Sequence, residues 1–359
     1  METIIVVGGG ASGLVAAGIL SQSDNYDVII LDQASKLARK VLASGNGRCN
    51  LSHTPITMDH YNTNHPLITK IVKEFDVVEF FKKNKMMVRY DHELIYPYSL
   101  SSLTVKNTLL SALKDVSIIT DCTVYQIIKN NQYEVKTNQG TYYGDKVIIA
   151  SGSPASELSG VHNLDMLKDF SIKIIPFKES LVQLETKPVY KSLKGQRVKC
   201  KASLYDHNKK IDEVSGEVLF TDYGLSGICI MQLSRHIYRL KQPVIHLDLL
   251  PEYDLSLLKD YQIEGLYHEK VAKVIIEKQL NIKDLSFKVE KSHGMKHAQV
   301  CHGGVSLDEI DHHLQLKKYP GIYVIGEALD VDGDCGGYNL HFAFASGEYV
   351  ARAIKEEIC

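Results

Sequence analysis

The chain opens on an apolar, β-branched run, "TIIVV" at 3–7, which suits a strand buried on both faces. A helix-like stretch, "LVAAGILSQ", follows, and then a second apolar strand, "YDVIIL". Over 66–86, "IVKEFDVVEFFKKN" places apolar residues at mixed three and four spacing with lysines outside, predicting an amphipathic helix. A second such helix is predicted over 101–114. From 116 to 150 the period shortens to strands, with Asn130-Asn131 and Asn138-Gln139-Gly140 as turns, giving a three-stranded meander that feeds a final strand, "KVIIASG". Residues 172–250 are strand-rich, interrupted by the glycine-bearing turn "TDYGLSG" at 221–227, and 252–285 read as helical. A buried strand, "GIYVIG" at 321–326, then precedes an Asp- and Gly-rich loop and a last helix full of small residues.

What joins the first strand to its helix is chemistry as well as geometry. Gly8, Gly10 and Gly13 form G-x-G-x-x-G, with Ala11 and Ser12 at the helix start, and the second strand ends on Asp32. Gly8 permits the tight turn, Gly10 the approach of a pyrophosphate, and Gly13 the packing of helix on strand. The first-turn N–H groups can meet phosphates while Asp32 accepts from ribose hydroxyls. An acid at that place disfavours a 2′-phosphate, so the fingerprint suits NAD or FAD and does not choose between them. Both chain ends therefore contribute to one nucleotide domain, 1–175 with 298–359. The insertion divides into a strand-rich part, 176–250, and a small helical part, 251–297.

Composition narrows the partners. The 359 residues carry a formal net charge of −2, with 44% apolar and 23% charged residues, so no electrostatic case exists for nucleic acid or an anionic membrane. A small-molecule substrate is the expectation. The first apolar run lacks a basic leader and holds glycines at its centre, which suits neither a signal peptide nor a membrane span. Seven cysteines stand singly, Cys49, Cys122, Cys200, Cys229, Cys301, Cys335 and Cys359, with no C-x-x-C, which points to a reducing compartment and a cytoplasmic location.

Five blocks in order, "VVGGGASGLVAA", "RKVLASGNGRCNLS", "GEVLFTDYGLSG", "AQVCHGGVSLDEI" and "GIYVIGEALDVDGDCGGYNLHFAFASG", resemble the BaiN-like flavoproteins, also called HI0933-type or aminoacetone-oxidase-like proteins. The resemblance implies an α/β fold: a Rossmann-type FAD domain of the glutathione-reductase, two-dinucleotide-binding kind with an inserted β-barrel-like plus helical domain. It implies non-covalent FAD, with Arg39, Lys40, Ser44, Gly45, Gly47, Arg48, Cys49 and Asn50 along the cofactor near the flavin ring. Gly326, Glu327 and Asp330 would meet its ribityl or pyrophosphate portion, and Gly336, Gly337, Tyr338 and Asn339 would bring a helix N-terminus to its pyrimidine side. Val124, Ser151 and Gly152 complete the set of cofactor candidates. The implied activity is FAD-dependent oxidoreduction of a small organic substrate, by C=C reduction or amine oxidation, with NADH or NADPH as a transient donor that has no Rossmann domain of its own. The competing class is a flavin-binding redox sensor or assembly factor without rapid turnover.

For catalysis, His341 and Tyr223 are candidate proton donors and Cys49 a candidate redox thiol; buried packing roles are the alternatives for all three. His293 and His297, and the "DHH" at 311–313, lack a metal-site pattern, so no metal is expected.

Overall fold

The computed structural model describes residues 1–159, 164–254, 256 and 261–356. Part of the helical reading over 252–285, namely 255 and 257–260, and Cys359 lie outside the described residues. The chain divides into two compact units, Met1–Phe177 with His302–Cys359, and Lys178–Cys301.

In the first unit β1 (Glu2–Val7), α1 (Ala11–Leu20) and β2 (Tyr26–Leu31) form the opening β-α-β. A five-stranded parallel sheet runs Ile322–Val324, Lys146–Ile149, β1, β2, Ser117–Ile119. Its central strands carry continuous apolar sequence because both faces are covered: Ile4, Ile5 and Val6 are fully buried. The meander, Val124–Lys129, Tyr133–Thr137 and Gly140–Gly144, is antiparallel. Tyr133 is fully buried there, and its hydroxyl donates to the Pro320 carbonyl at 2.6 Å, tying the meander to the turn before the last strand.

The helix predicted over 66–86 is two helices, Pro66–Glu74 and Val77–Lys83. Asp76 separates them: its carboxylate accepts from the Val78 and Glu79 N–H groups, an N-cap inside a stretch whose apolar spacing runs on unbroken. A small sheet of Ser52–His53, Leu94–Pro97 and Val88–Asp91 is added, its strands of two to four residues too short for a periodic signal. The last helix, Tyr338–Glu356, packs on α1 through small residues; a Cβ on Gly347 would stand 2.5 Å from the Ser12 carbonyl oxygen.

The second unit is a closed antiparallel barrel in the order Leu184–Lys187, Gly224–Ser226, Lys209–Phe220, Arg197–Asp206, Pro243–Asp248, Leu285–Ser292. Closure leaves no free sheet edge. Its interior is filled by inward-facing residues such as Leu184, Ala202, Leu204, Val218, Phe220 and Ile245. The expectation of a helical part over 251–297 needs correction. Glu269–Glu277 is a helix, but Leu285–Ser292 is the strand that closes the barrel. Its alternation was readable, since Leu285, Phe287 and Val289 are buried and the residues between them exposed.

Candidate functional site

The glycine loop after β1 is held by contacts that only glycine tolerates. A Cβ on Gly13 would lie 2.0 Å from the Gly8 carbonyl oxygen, and one on Gly8, at φ 110°, would lie 2.4 Å from the Ala150 carbonyl. Gly10 is different: nothing stands within 4 Å of where its Cβ would be. The helix it begins has no side-chain cap. An open space thus faces the positive end of α1, the arrangement a pyrophosphate needs. Asp32 anchors the loop, its carboxylate accepting from the Gly9 N–H at 2.6 Å and the Ala34 N–H at 2.8 Å. Burial pushes its pKa up, opposed by those two bonds and by Arg39.

The "SGNGRCN" segment turns through left-handed backbone at Gly45, Asn46, Gly47 and Cys49, with φ of 55°, 53°, 83° and 59°. Arg48 is exposed, whereas Asn50 keeps a buried side-chain oxygen, Oδ1, with no hydrogen-bond partner. Just upstream, Lys40 Nζ lies 2.8 Å from Glu327, whose carboxylate also accepts from Ser153 Oγ at 2.8 Å. This contact brings together a loop from each end of the chain and the segment after Lys146–Ile149, where Gly152 sits at φ 75°. Val124, half-buried at the head of the meander, packs on the same core.

The second glycine loop is tied to distant residues. Gly326, at φ 60°, donates to Ser346 Oγ, and a Cβ there would meet Ser12 Oγ at 2.6 Å. Gly336 and Gly337 have φ of 121° and 97°, and a Cβ on Gly337 would strike the Ser52 backbone at 2.7 Å. Tyr338 is buried, its ring stacked against both His53 at 5.0 Å and His60 at 4.6 Å, and its hydroxyl is buried without a partner. Burial raises that phenol to about 12. Asp330 and Asn339 have side chains engaged within the protein. Asp330 Oδ1 accepts from the Gly303 N–H at 2.8 Å. Asn339 closes the loop on itself through the Gly333 N–H and carbonyl, 2.8 and 2.9 Å.

Two catalytic candidates change role. His341 is 2% exposed; Nδ1 accepts from Ser52 Oγ at 2.8 Å, and Nε2 donates to the Val72 carbonyl at 2.9 Å. Burial depresses its pKa to about 4, so the neutral ring links Ser52 to the Val72 carbonyl with its one N–H committed. Cys49 is fully buried and its thiol is pushed up to about 11, also by burial, which removes the thiolate a redox or nucleophilic role requires. Tyr223 belongs to the second unit, stacked at 3.8 Å and 8° on His293, which contacts Glu185 at 3.1 Å. Cys335 is half-buried in the second glycine loop.

A sequence model of the HI0933-like protein Rossmann domain matches residues 2–353. The chain belongs to the HI0933-like family. It is 30% identical to the 3-dehydro-bile acid delta(4,6)-reductase of Clostridium scindens, over 99% of this chain and all of that protein. It is 24% identical to the ribosomal RNA dihydrouridine synthase of Escherichia coli, over 95% of each chain. Among solved structures it is similar to the open conformation of a flavocytochrome c3 fumarate reductase, with 13% identity, a TM-score of 0.47, and 98% and 78% of the two chains covered. Among the described residues no helix is long and apolar enough to cross a membrane.

In this HI0933-like chain the fold assembles residues that spacing did not reveal. The second glycine loop presents two carboxylates, each against a histidine from elsewhere. His302 Nδ1 lies 2.5 Å from Asp332 Oδ1, and His60 Nδ1 lies 2.8 Å from Asp334 Oδ2. The partners are separated by 30 and 274 residues, which no local motif links.

Proposed function

We propose that this FAD-dependent oxidoreductase saturates a carbon–carbon double bond conjugated to a carbonyl, in a small organic substrate, with NADH or NADPH as the donor. The observation that carries the cofactor half is the open space at Gly10 before an uncapped helix, joined to the second glycine loop by Lys40 and Glu327. The orphaned Asn50 Oδ1 and Tyr338 hydroxyl fit a polar cofactor edge, because buried polar atoms otherwise go unpaired at a cost of about 1–3 kcal/mol each. Gly8, Gly10, Ala11, Ser12 and Gly13 would hold the pyrophosphate and Asp32 the ribose. The 44–50 segment, Gly326, Glu327, Gly336, Gly337 and Tyr338 would hold the rest. When bound, the flavin supplies hydride chemistry.

The substrate half rests on what the two named relatives share. A bile acid with a 3-oxo group and 4,6 double bonds is an enone, and the double bond lost in forming dihydrouridine is also conjugated to a carbonyl. A small substrate is preferred to RNA because the chain carries net charge −2. The test is an anaerobic visible spectrum: the yellow protein should bleach with NADH or NADPH and recover colour on adding a 3-oxo-4-ene steroid acid. Recovery with a uridine-containing ribosomal RNA fragment and not with the steroid transfers the reading to RNA. A protein that binds FAD and bleaches with neither nicotinamide favours the sensor or assembly-factor role.

A further inference from the structure

Saturating a conjugated double bond needs a proton as well as a hydride, and the one N–H of the neutral His341 ring is committed to the Val72 carbonyl. We propose that His302, held by Asp332, is the proton donor of the reaction above, a role that rests on the double-bond reading.

His302 is carried into place by two glycines. Gly303 and Gly304 follow it at φ 98° and 126°; a Cβ on Gly303 would meet the Pro176 carbonyl at 2.6 Å, and one on Gly304 the Ala328 carbonyl at 2.6 Å. The segment is bonded to the second flavin motif: Gly303 donates to Asp330, and Asp330 donates from its own N–H to the Val305 carbonyl at 3.0 Å. Asp332 is equally fixed. Its N–H donates to Asn62 Oδ1 at 3.0 Å, and its carbonyl accepts from the Asn62 N–H at 2.9 Å. The imidazole is thus tied to the middle of a loop whose two ends, 326–330 and 336–339, are the proposed cofactor contacts.

Of the two histidine–aspartate pairs on this loop, exposure selects His302. Its side chain is 12% exposed and that of Asp332 1%, whereas His60 is 41% exposed and its ring already stacks on Tyr338. The proton that moves is the one on Nε2 of the doubly protonated ring, whose Nδ1 faces the Asp332 carboxylate. In the step, the reduced nicotinamide is the ultimate source of the hydride, a proton with two electrons, which forms a C–H bond at the β-carbon. The double-bond electrons shift to the α-carbon. There a second C–H bond forms as the Nε2–H bond of the doubly protonated His302 ring breaks, leaving a neutral ring with its proton on Nδ1, and solvent then returns a proton to Nε2. The nicotinamide is oxidised and the alkene reduced.

The test compares wild type, His302→Gln and Asp332→Asn, each loaded with FAD, reduced without oxygen, and mixed with the steroid acid. His302→Gln should slow recovery of the yellow colour on the order of 100-fold while leaving reduction by nicotinamide within about 3-fold, and Asp332→Asn should fall between. Independently of turnover, nitrogen-15 NMR of the apoprotein should show the neutral form of His302 as the Nδ1–H tautomer, lost in Asp332→Asn. Wild-type-like recovery in His302→Gln, or an Nε2–H tautomer in wild type, overturns the assignment. A wild type that bleaches and is re-oxidised by no conjugated carbonyl defeats the double-bond reading, and the donor role with it.

Discussion

The two glycine loops of the first unit do the same kind of work by different means. In the first, Gly13 packs on Gly8 and Gly9 bonds Asp32, so most of the fit is settled within one β-α-β. In the second, Gly326 abuts Ser12, Gly337 abuts Ser52, and Gly304 abuts Ala328. A motif whose constraints are local can be read from spacing, whereas one whose constraints come from other segments can be recognised only by likeness. The lesson extends to chemistry: Asp32 was found from its distance along the chain, and Asp332 was not.

The largest effect should come from the local loop. Gly13→Val puts branched carbons where even a Cβ is 2.0 Å from a carbonyl oxygen, so the variant should lose FAD retention and more than about 3 kcal/mol of stability, read by flavin absorbance and urea unfolding. Gly337→Ala should cost about 2 kcal/mol, from a 2.7 Å approach and a φ of 97°. If Gly337→Ala proved the costlier, the long-range loop would be the more tightly built.

The link behind that second loop makes a pH prediction. His341, depressed to about 4 in the fold from an ordinary 6.5, is neutral when folded and gains a proton on unfolding below 6.5. Its contribution is complete above 6.5 and is lost as pH falls toward 4, roughly 3 kcal/mol in all. His341→Leu should abolish that slope and cost about 2 kcal/mol at neutral pH by leaving the Val72 carbonyl without its imidazole donor and Ser52 Oγ with only the His53 carbonyl, with kcat unchanged. Urea midpoints from pH 4 to 8 measure both; a slope that persists in the variant would assign it to other groups.

Smaller still, Lys40→Met should cost about 1 kcal/mol or less, because the pair is partly solvated, yet weaken FAD binding measurably by equilibrium dialysis. Cys49→Ala should leave turnover within about 3-fold, and the wild-type thiol should resist iodoacetamide in the native state.

Much of the architecture was legible because it is periodic. The parallel sheet shows in unbroken apolar runs, the meander in alternation between asparagine turns, and the first cofactor loop in three glycines at fixed spacing. The two-helix break at Asp76 was obscured by apolar spacing that continues across it, and the barrel's closing strand was absorbed into a helical reading of its neighbours. His341 shows the limit for the site. In sequence it stands next to the second glycine motif, and only packing shows its ring turned to Ser52 and Val72.

By itself the sequence determined the β-α-β start, the dinucleotide glycines with their acid, and the likeness that names the family, since each depends on residues close along the chain. Tertiary structure decided which ionisable groups are usable. It buried His341 and Cys49, paired Lys40 with Glu327, and set His302 against Asp332. Whether a group titrates or transfers a proton depends on its desolvation and its partners, and those are properties of the folded space around it.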